Sequence, residues 1–178
     1  MSGDYNILIR PEQSSDWIAI RSLVQEAFAV AEHSDGDEHN LIERIRFTED
    51  YIPQLSLVAE VDGIVVGYVM FSRIYIGNRE AVALAPVSVA VCWQSKGIGV
   101  KLITTGHRIA SQMGYPCSVV LGNPDYYKRF GYKNAADYMI LPPFDVPDSC
   151  YMAMPLSSAL LPPSGKVRYS KAFDSLSD

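Results

Sequence analysis

Gln94, Gly97 and Gly99 fall where a β-branched run, Leu84 to Val91, gives way to an amphipathic run that begins at Ile98. Residues of this kind at this spacing suit the binding of phosphate. A strand, a glycine turn and a helix in that order leave backbone N–H groups unpaired at a helix N-terminus, where the macrodipole concentrates about half a positive charge. Gly97 and Gly99 lack a Cβ, so phosphate oxygens can approach the backbone and the turn can take φ > 0. Ser95, Lys96 and Ile98 complete the turn, and Lys96 and Lys101 add positive charge. A dinucleotide-binding turn would read G-x-G-x-x-G with an acid about 20 residues on. Here the third glycine position holds Leu102, and the next strand ends at Leu121-Gly122 without an acid. The Walker A pattern G-x-x-x-x-G-K-[ST] is also absent.

What remains, Q-x-x-G-x-G between strand and helix, resembles the pyrophosphate-binding signature of the GNAT superfamily of acetyl-CoA-dependent N-acetyltransferases. A second stretch agrees with it. Gly122-Asn123-Pro124-Asp125-Tyr126-Tyr127-Lys128-Arg129-Phe130-Gly131-Tyr132 resembles the GNAT segment in which an Asn opens a short helix and a Tyr stands four residues before a Gly-aromatic pair. Tyr127 holds that place. The pattern V-x-L-G-x-P-x-Y-Y-x-R-F-G-[FY], and the ending Gly165-x-Val167-x-Tyr169-x-x-Ala172-Phe173, resemble the YhbS-like group within the superfamily.

The resemblance implies an α/β (α+β) fold of GNAT type: a mixed, mostly antiparallel central sheet, a splayed parallel strand pair, and helices on both faces. It implies acetyl-CoA as co-substrate, a primary amine of a small molecule or protein as acceptor, and direct attack in a ternary complex. In that scheme the N–H of Val89 polarises the thioester carbonyl, Asn123 fixes the coenzyme arm, and Tyr127 is the general acid; Tyr126 is the alternative ring facing the sulfur. The family usually has Pro three residues before the Gln and Gly directly after it. Val91 and Ser95 stand there instead, which leaves the backbone donors in place. A non-catalytic acyl-CoA-binding module, a sensor or interaction domain, is the rival reading.

The acceptor side is less legible. Residues 31–39, AEHSDGDEH, offer Glu32, His33, Asp37 and Glu38 as candidate bases, with Glu32 and Glu38 leading. In GNAT folds this connection borders the acceptor cleft, where acids attract an ammonium group; a plain solvated loop explains the same composition. His39 is expected to start a helix, and His107 to lie on the polar side of the coenzyme helix.

Positioning these groups calls for a definite set of elements. Tyr5 to Arg10 alternates and then meets Pro11, a first strand. Trp17, Ile20, Val24, Ala27 and Phe28 recur at helical steps through about residue 29, and a second helix is expected from about His39 to Phe47. Ser56 to Val61 and Ile64 to Ile76 flank Asp62-Gly63, the signal for a type I′ hairpin, and a fourth strand from about Val82 completes an antiparallel meander. Pro86 cannot donate to a ladder, so that strand is expected to bulge and part from Ser118 to Leu121. Backbone groups near Val89 and Val91 would then be open to the amides of a pantetheine arm. Ile98 to Met113 reads as a helix ended by Gly114, Tyr151 to Pro155 as a strand, and Val167 to Phe173 as a return onto the body.

The chain of 178 residues fits one domain over 1–178, with a core of about 5–141 and C-terminal strands and tail at 142–178. Hydrophobic residues at 48% and charged residues at 20% are ordinary for a soluble protein. No apolar run is long enough for a membrane span, and MSGDYNILIR lacks a secretory pattern, so a cytoplasmic protein is expected. A net charge of −5 argues against nucleic acid or anionic lipid and fits a cationic substrate. Cys92, Cys117 and Cys150 have no C-x-x-C or histidine at metal spacing, so reduced thiols and no metal are expected. The apolar C-terminal part is the candidate surface for a homodimer.

Overall fold

Two adjacent residues with positive φ, Asp62 at 50° and Gly63 at 81°, make the tight turn whose twist matches that of the flanking strands. They join β2 (Ser56–Val61) to β3 (Ile64–Ile76), and β4 (Arg79–Val89) runs back along β3. β1 (Ile7–Pro11) pairs with β2 and completes the antiparallel meander. The computed structural model describes residues 4–32 and 34–176. Beyond the meander, β5 (Cys117–Leu121) lies parallel to β4, followed by β8 (Tyr151–Pro155) and β6 (Lys133–Asn134). The order is β1-β2-β3-β4-β5-β8-β6. β9 (Gly165–Arg168) pairs with the end of β3 and, in parallel, with β7 (Ile140–Leu141). Among the described residues no helix is long and apolar enough to cross a membrane.

Alternation along β2 explains the layers. Leu57 and Ala59 join the core with Leu102 and Ile103 of α3 (Ile98–Gln112). Val58, between them, joins the opposite core with Ile20 and Val24 of α1 (Trp17–Phe28) and Ile42 and Ile45 of α2 (Glu38–Arg46). Helices therefore cover both faces, and each wholly buried Leu or Ile contributes about 2 kcal/mol of apolar transfer. One buried charged cluster is fully paired. Arg46 donates to Glu12 at 2.6 and 3.1 Å, with both side chains 3% exposed or less, and Tyr51 donates to the same carboxylate at 2.6 Å.

His107 departs from expectation. It is buried, and its Nε2 lies 2.8 Å from the hydroxyl of Tyr132, which also meets Ser118 Oγ at 2.8 Å. Burial lowers its pKa to about 4, so the ring is neutral in the fold.

Pro86 marks the feature that shapes the site. Val69 pairs with Val87 and Phe71 with Leu84, so Ala85 and Pro86 together oppose the single residue Met70. That is a bulge on β4, and it bends the strand. β5 pairs with β4 only at Val82–Ser118 and Ala83–Val119, and the two strands part beyond that point. The Ala85–Pro86 bond is cis.

Candidate active site

The turn after β4 is built as a bare helix N-terminus. Ser95 has φ 60° and Gly97, the residue before α3, has φ 81° in the left-handed region. No side chain caps α3, and its first turn carries no acid. The N–H groups of Ile98, Gly99 and Val100 are thus open to an anion. A Cβ on Gly97 would meet nothing within 4 Å, whereas one on Gly99 would lie 2.9 Å from the hydroxyl of Tyr126. The absent side chains leave a cradle. A cleft of about 590 Å³ opens over it, lined in part by Gln94, Ser95, Gly97, Gly99, Tyr126 and Arg129. The Arg129 guanidinium lies 4.5 Å from the centroid of the Tyr126 ring and brings positive charge to the mouth.

The edge of β4 forms the cleft's other wall. Ala90 N–H donates to Val66 C=O across the Gly67–Val89 pair, which makes that pair a non-hydrogen-bonded one. By alternation, the backbone groups of Val87 and Val89 point away from β3, toward the side that β5 has vacated. Gln94 Nε2 donates to the carbonyl of Val89 at 3.1 Å, so its N–H is the group left facing the cleft. Val91, expected on this edge, lies instead in a 3-10 turn, Val91–Trp93. Its side chain is exposed and its carbonyl accepts from Gln94 N–H, because the strand ends at Val89. Val87 was missed in the sequence, although it shares the alternation of Val89 on the same side of the bulge.

Other expected contacts divide. Lys96 does not line the cleft; its Nζ lies over the Tyr5 ring at 5.6 Å from the centroid. Asn123 Oδ1 accepts from Asp125 N–H at 2.9 Å and caps α4 (Pro124–Tyr127). That oxygen is therefore occupied locally rather than in the cleft. Tyr126 lines the cleft over the α3 turn, and Tyr127, buried and packed on Gly122, lines a second cavity across the β4–β5 gap. Desolvation raises the pKa of both phenols.

That second cavity holds about 500 Å³ and is walled by Phe28, Leu41, Leu121, Phe144, Tyr169 and Phe173 beside Tyr127. Val87 lines both spaces, so both lie against the bulged strand. Among the described residues that line the cavity, Glu38 is the charged one, and its Oε2 is buried with no hydrogen bond. Glu32 is exposed and does not line it. Asp37 accepts from Arg44 and Asn40, both at 2.8 Å, and the Arg44 bond above all holds its pKa below the usual value. His33 lies outside the described residues. The aromatic wall was missed because its parts lie far apart in sequence; the i, i+4 pair Tyr169 and Phe173 was the one local hint.

Comparison with known proteins agrees with this geometry. The model of the acetyltransferase (GNAT) domain matches residues 53–134. The chain is 30% identical over 162 residues to the uncharacterized N-acetyltransferase YjhQ of Escherichia coli (strain K12), covering 86% of this chain and 87% of that protein. It is 31% identical over 172 residues to the uncharacterized N-acetyltransferase YhbS of the same organism, covering 94% and 99%. The crystal structure of Escherichia coli YhbS in complex with CoA superposes with a TM-score of 0.86 at 28% identity, over 98% of this chain and 95% of that one. A GNAT family acetyltransferase from Brucella melitensis in complex with acetyl-CoA gives 0.80 at 32% identity, over 96% and 99%. With that coverage joined to an uncapped glycine turn and a parted sheet, this chain belongs to the GNAT superfamily of N-acetyltransferases and is an acyltransferase related to YhbS and YjhQ.

Proposed function

We propose that the protein transfers an acetyl group from acetyl-CoA to a primary amine, with both substrates bound together and the amine attacking the thioester directly. One observation carries this reading: a cleft over an uncapped helix N-terminus and a cavity bearing a carboxylate oxygen with no hydrogen-bond partner both lie against β4 beside its gap from β5, and they share Val87. The coenzyme complexes of the YhbS and Brucella melitensis proteins support the choice of donor. Acetyl-CoA supplies the activated acyl group; the chain's residues hold and steer it. N–H groups of the first turn of α3 grip the diphosphate, and the outward edge at Val87 and Val89 pairs with the pantetheine amides. The Val89 N–H polarises the thioester carbonyl. Glu38 takes a proton from the incoming ammonium, freeing the nitrogen lone pair to form the C–N bond as the C–S bond breaks. Tyr127 delivers its proton to the departing sulfur, and the second proton shed by the acylated nitrogen restores the phenol. Its raised pKa keeps the phenol protonated, and therefore a donor, at neutral pH.

Release of free thiol from acetyl-CoA in the presence of a panel of primary amines tests the reading. Glu38→Gln should lower kcat/KM by about 10²-fold or more with acetyl-CoA affinity retained. A protein that binds acetyl-CoA and releases no thiol with any amine is a binding module, and the transferase reading falls.

A further inference from the structure

The cavity beyond Val87 says more than that an amine enters. We propose that the acceptor is a small primary amine carried on a compact aromatic body, of the 2-arylethylamine kind, with its ammonium on Glu38 and its ring among Phe144, Tyr169 and Phe173. This rests on the transferase reading for the fate of the amine, though not for its binding. Three features of the cavity support it.

The first is the single charge. A carboxylate with a buried, unpaired oxygen among apolar side chains is unsatisfied until a cation arrives, and among the described residues lining the cavity none is a cation. The neighbouring acid, Asp37, is already held by Arg44 and Asn40 and does not line the cavity. One ammonium is therefore matched, and a second has no partner. Polyamines and aminoglycosides, which carry several, would bury cations or hydroxyls without hydrogen bonds.

The second is the wall. Phe144 and Tyr169 stack with centroids 5.9 Å apart at 26°, and Tyr169 and Phe173 lie 5.0 Å apart. The Tyr169 hydroxyl is 2.9 Å from that of Tyr151, so its polar end is occupied outside the cavity. The rings offer faces and edges to another ring, which favours an aromatic guest over an aliphatic one. The third is size. A volume of about 500 Å³ suits a small molecule and leaves little room for an extended peptide.

Calorimetric titration of 2-phenylethylamine, spermidine and a peptide with an N-terminal Ala, each into the protein saturated with CoA, tests the proposal apart from turnover. The expected result is binding of 2-phenylethylamine, weakened about tenfold by Phe144→Ala, by Phe173→Ala and by Glu38→Gln, with spermidine and the peptide at least about 10²-fold weaker. Phe144 lies on an exposed loop, so its variant reads binding without risk to the fold. Spermidine or the peptide binding as well as the aryl amine would overturn the proposal. So would binding that ignores all three substitutions, or no binding by any of them. Thiol release is followed in parallel. If the aryl amine binds as described and no amine on the panel releases thiol, the assignment of the cavity as an aryl-amine site stands and the transferase reading fails.

Discussion

The buried imidazole of His107 makes a quantitative forecast about acid stability. In the unfolded chain it titrates near 6.5, and in the fold at about 4, because burial opposes its charged form. Between those values the unfolded chain binds more protons, so stability rises with pH there and is lost as pH falls. The linkage relation gives a loss of about 2 kcal/mol at pH 5 and about 3 kcal/mol at pH 4, relative to neutral pH. The ring anchors α3 to Tyr132, so losing it loosens the helix that carries the phosphate turn. Urea midpoints for the wild type and His107→Gln at about pH 7 and about pH 5 isolate the contribution. The variant keeps a donor for the Tyr132 hydroxyl and cannot titrate. Carboxylates held at lowered pKa, Asp16 by Arg10 and Asp37 by Arg44, act in both proteins and cancel in the difference. The wild type should lose about 2 kcal/mol more than the variant across that interval. Equal losses would refute the argument that a neutral buried ring is the cause.

Gly99→Ala should weaken CoA binding about tenfold, since its Cβ would press on the Tyr126 hydroxyl, and Tyr126→Phe in the same chain should recover much of the loss; calorimetry on both variants decides. Ser95→Gly should raise stability by about 1 kcal/mol, because a non-glycine residue at φ 60° carries strain that glycine lacks, and thermal unfolding reads the gain. Glu12→Ala should destabilise by about 3 kcal/mol or more, since it leaves the Arg46 guanidinium and Tyr51 hydroxyl without their shared carboxylate; denaturant unfolding measures it.

Features set by local chemistry were readable in the sequence. Pro86 has no N–H to give, so a bulge had to follow wherever a strand ran through it, and the register shift opposite Met70 is that bulge. Asp62-Gly63 and Gly97 named their own turns through the sign of φ. Features set by distant partners were not readable. His107 lies on the helix that the periodicity predicted, but only Tyr132, brought in by the chain beyond β5, makes its burial tolerable. Val91 continued the β-branched run, while the strand ended two residues earlier because Ala90 already turns into the 3-10 segment. Which of Glu32, Asp37 and Glu38 faces inward depends on Arg44 and Asn40 engaging Asp37 at the start of α2.

The pairing of β9 with β3 and β7 brings Tyr169 and Phe173 to the cavity from the far end of the chain, while the residues lining the cleft over the α3 turn fall between 87 and 129. The cavity is thus assembled from parts of the chain as far apart as Phe28, Val87 and Phe173, whereas the lining of the cleft falls within one span. A change confined to the final forty or so residues can therefore reshape one wall of the cavity, at Phe144, Tyr169 and Phe173, without altering any residue that lines the cleft.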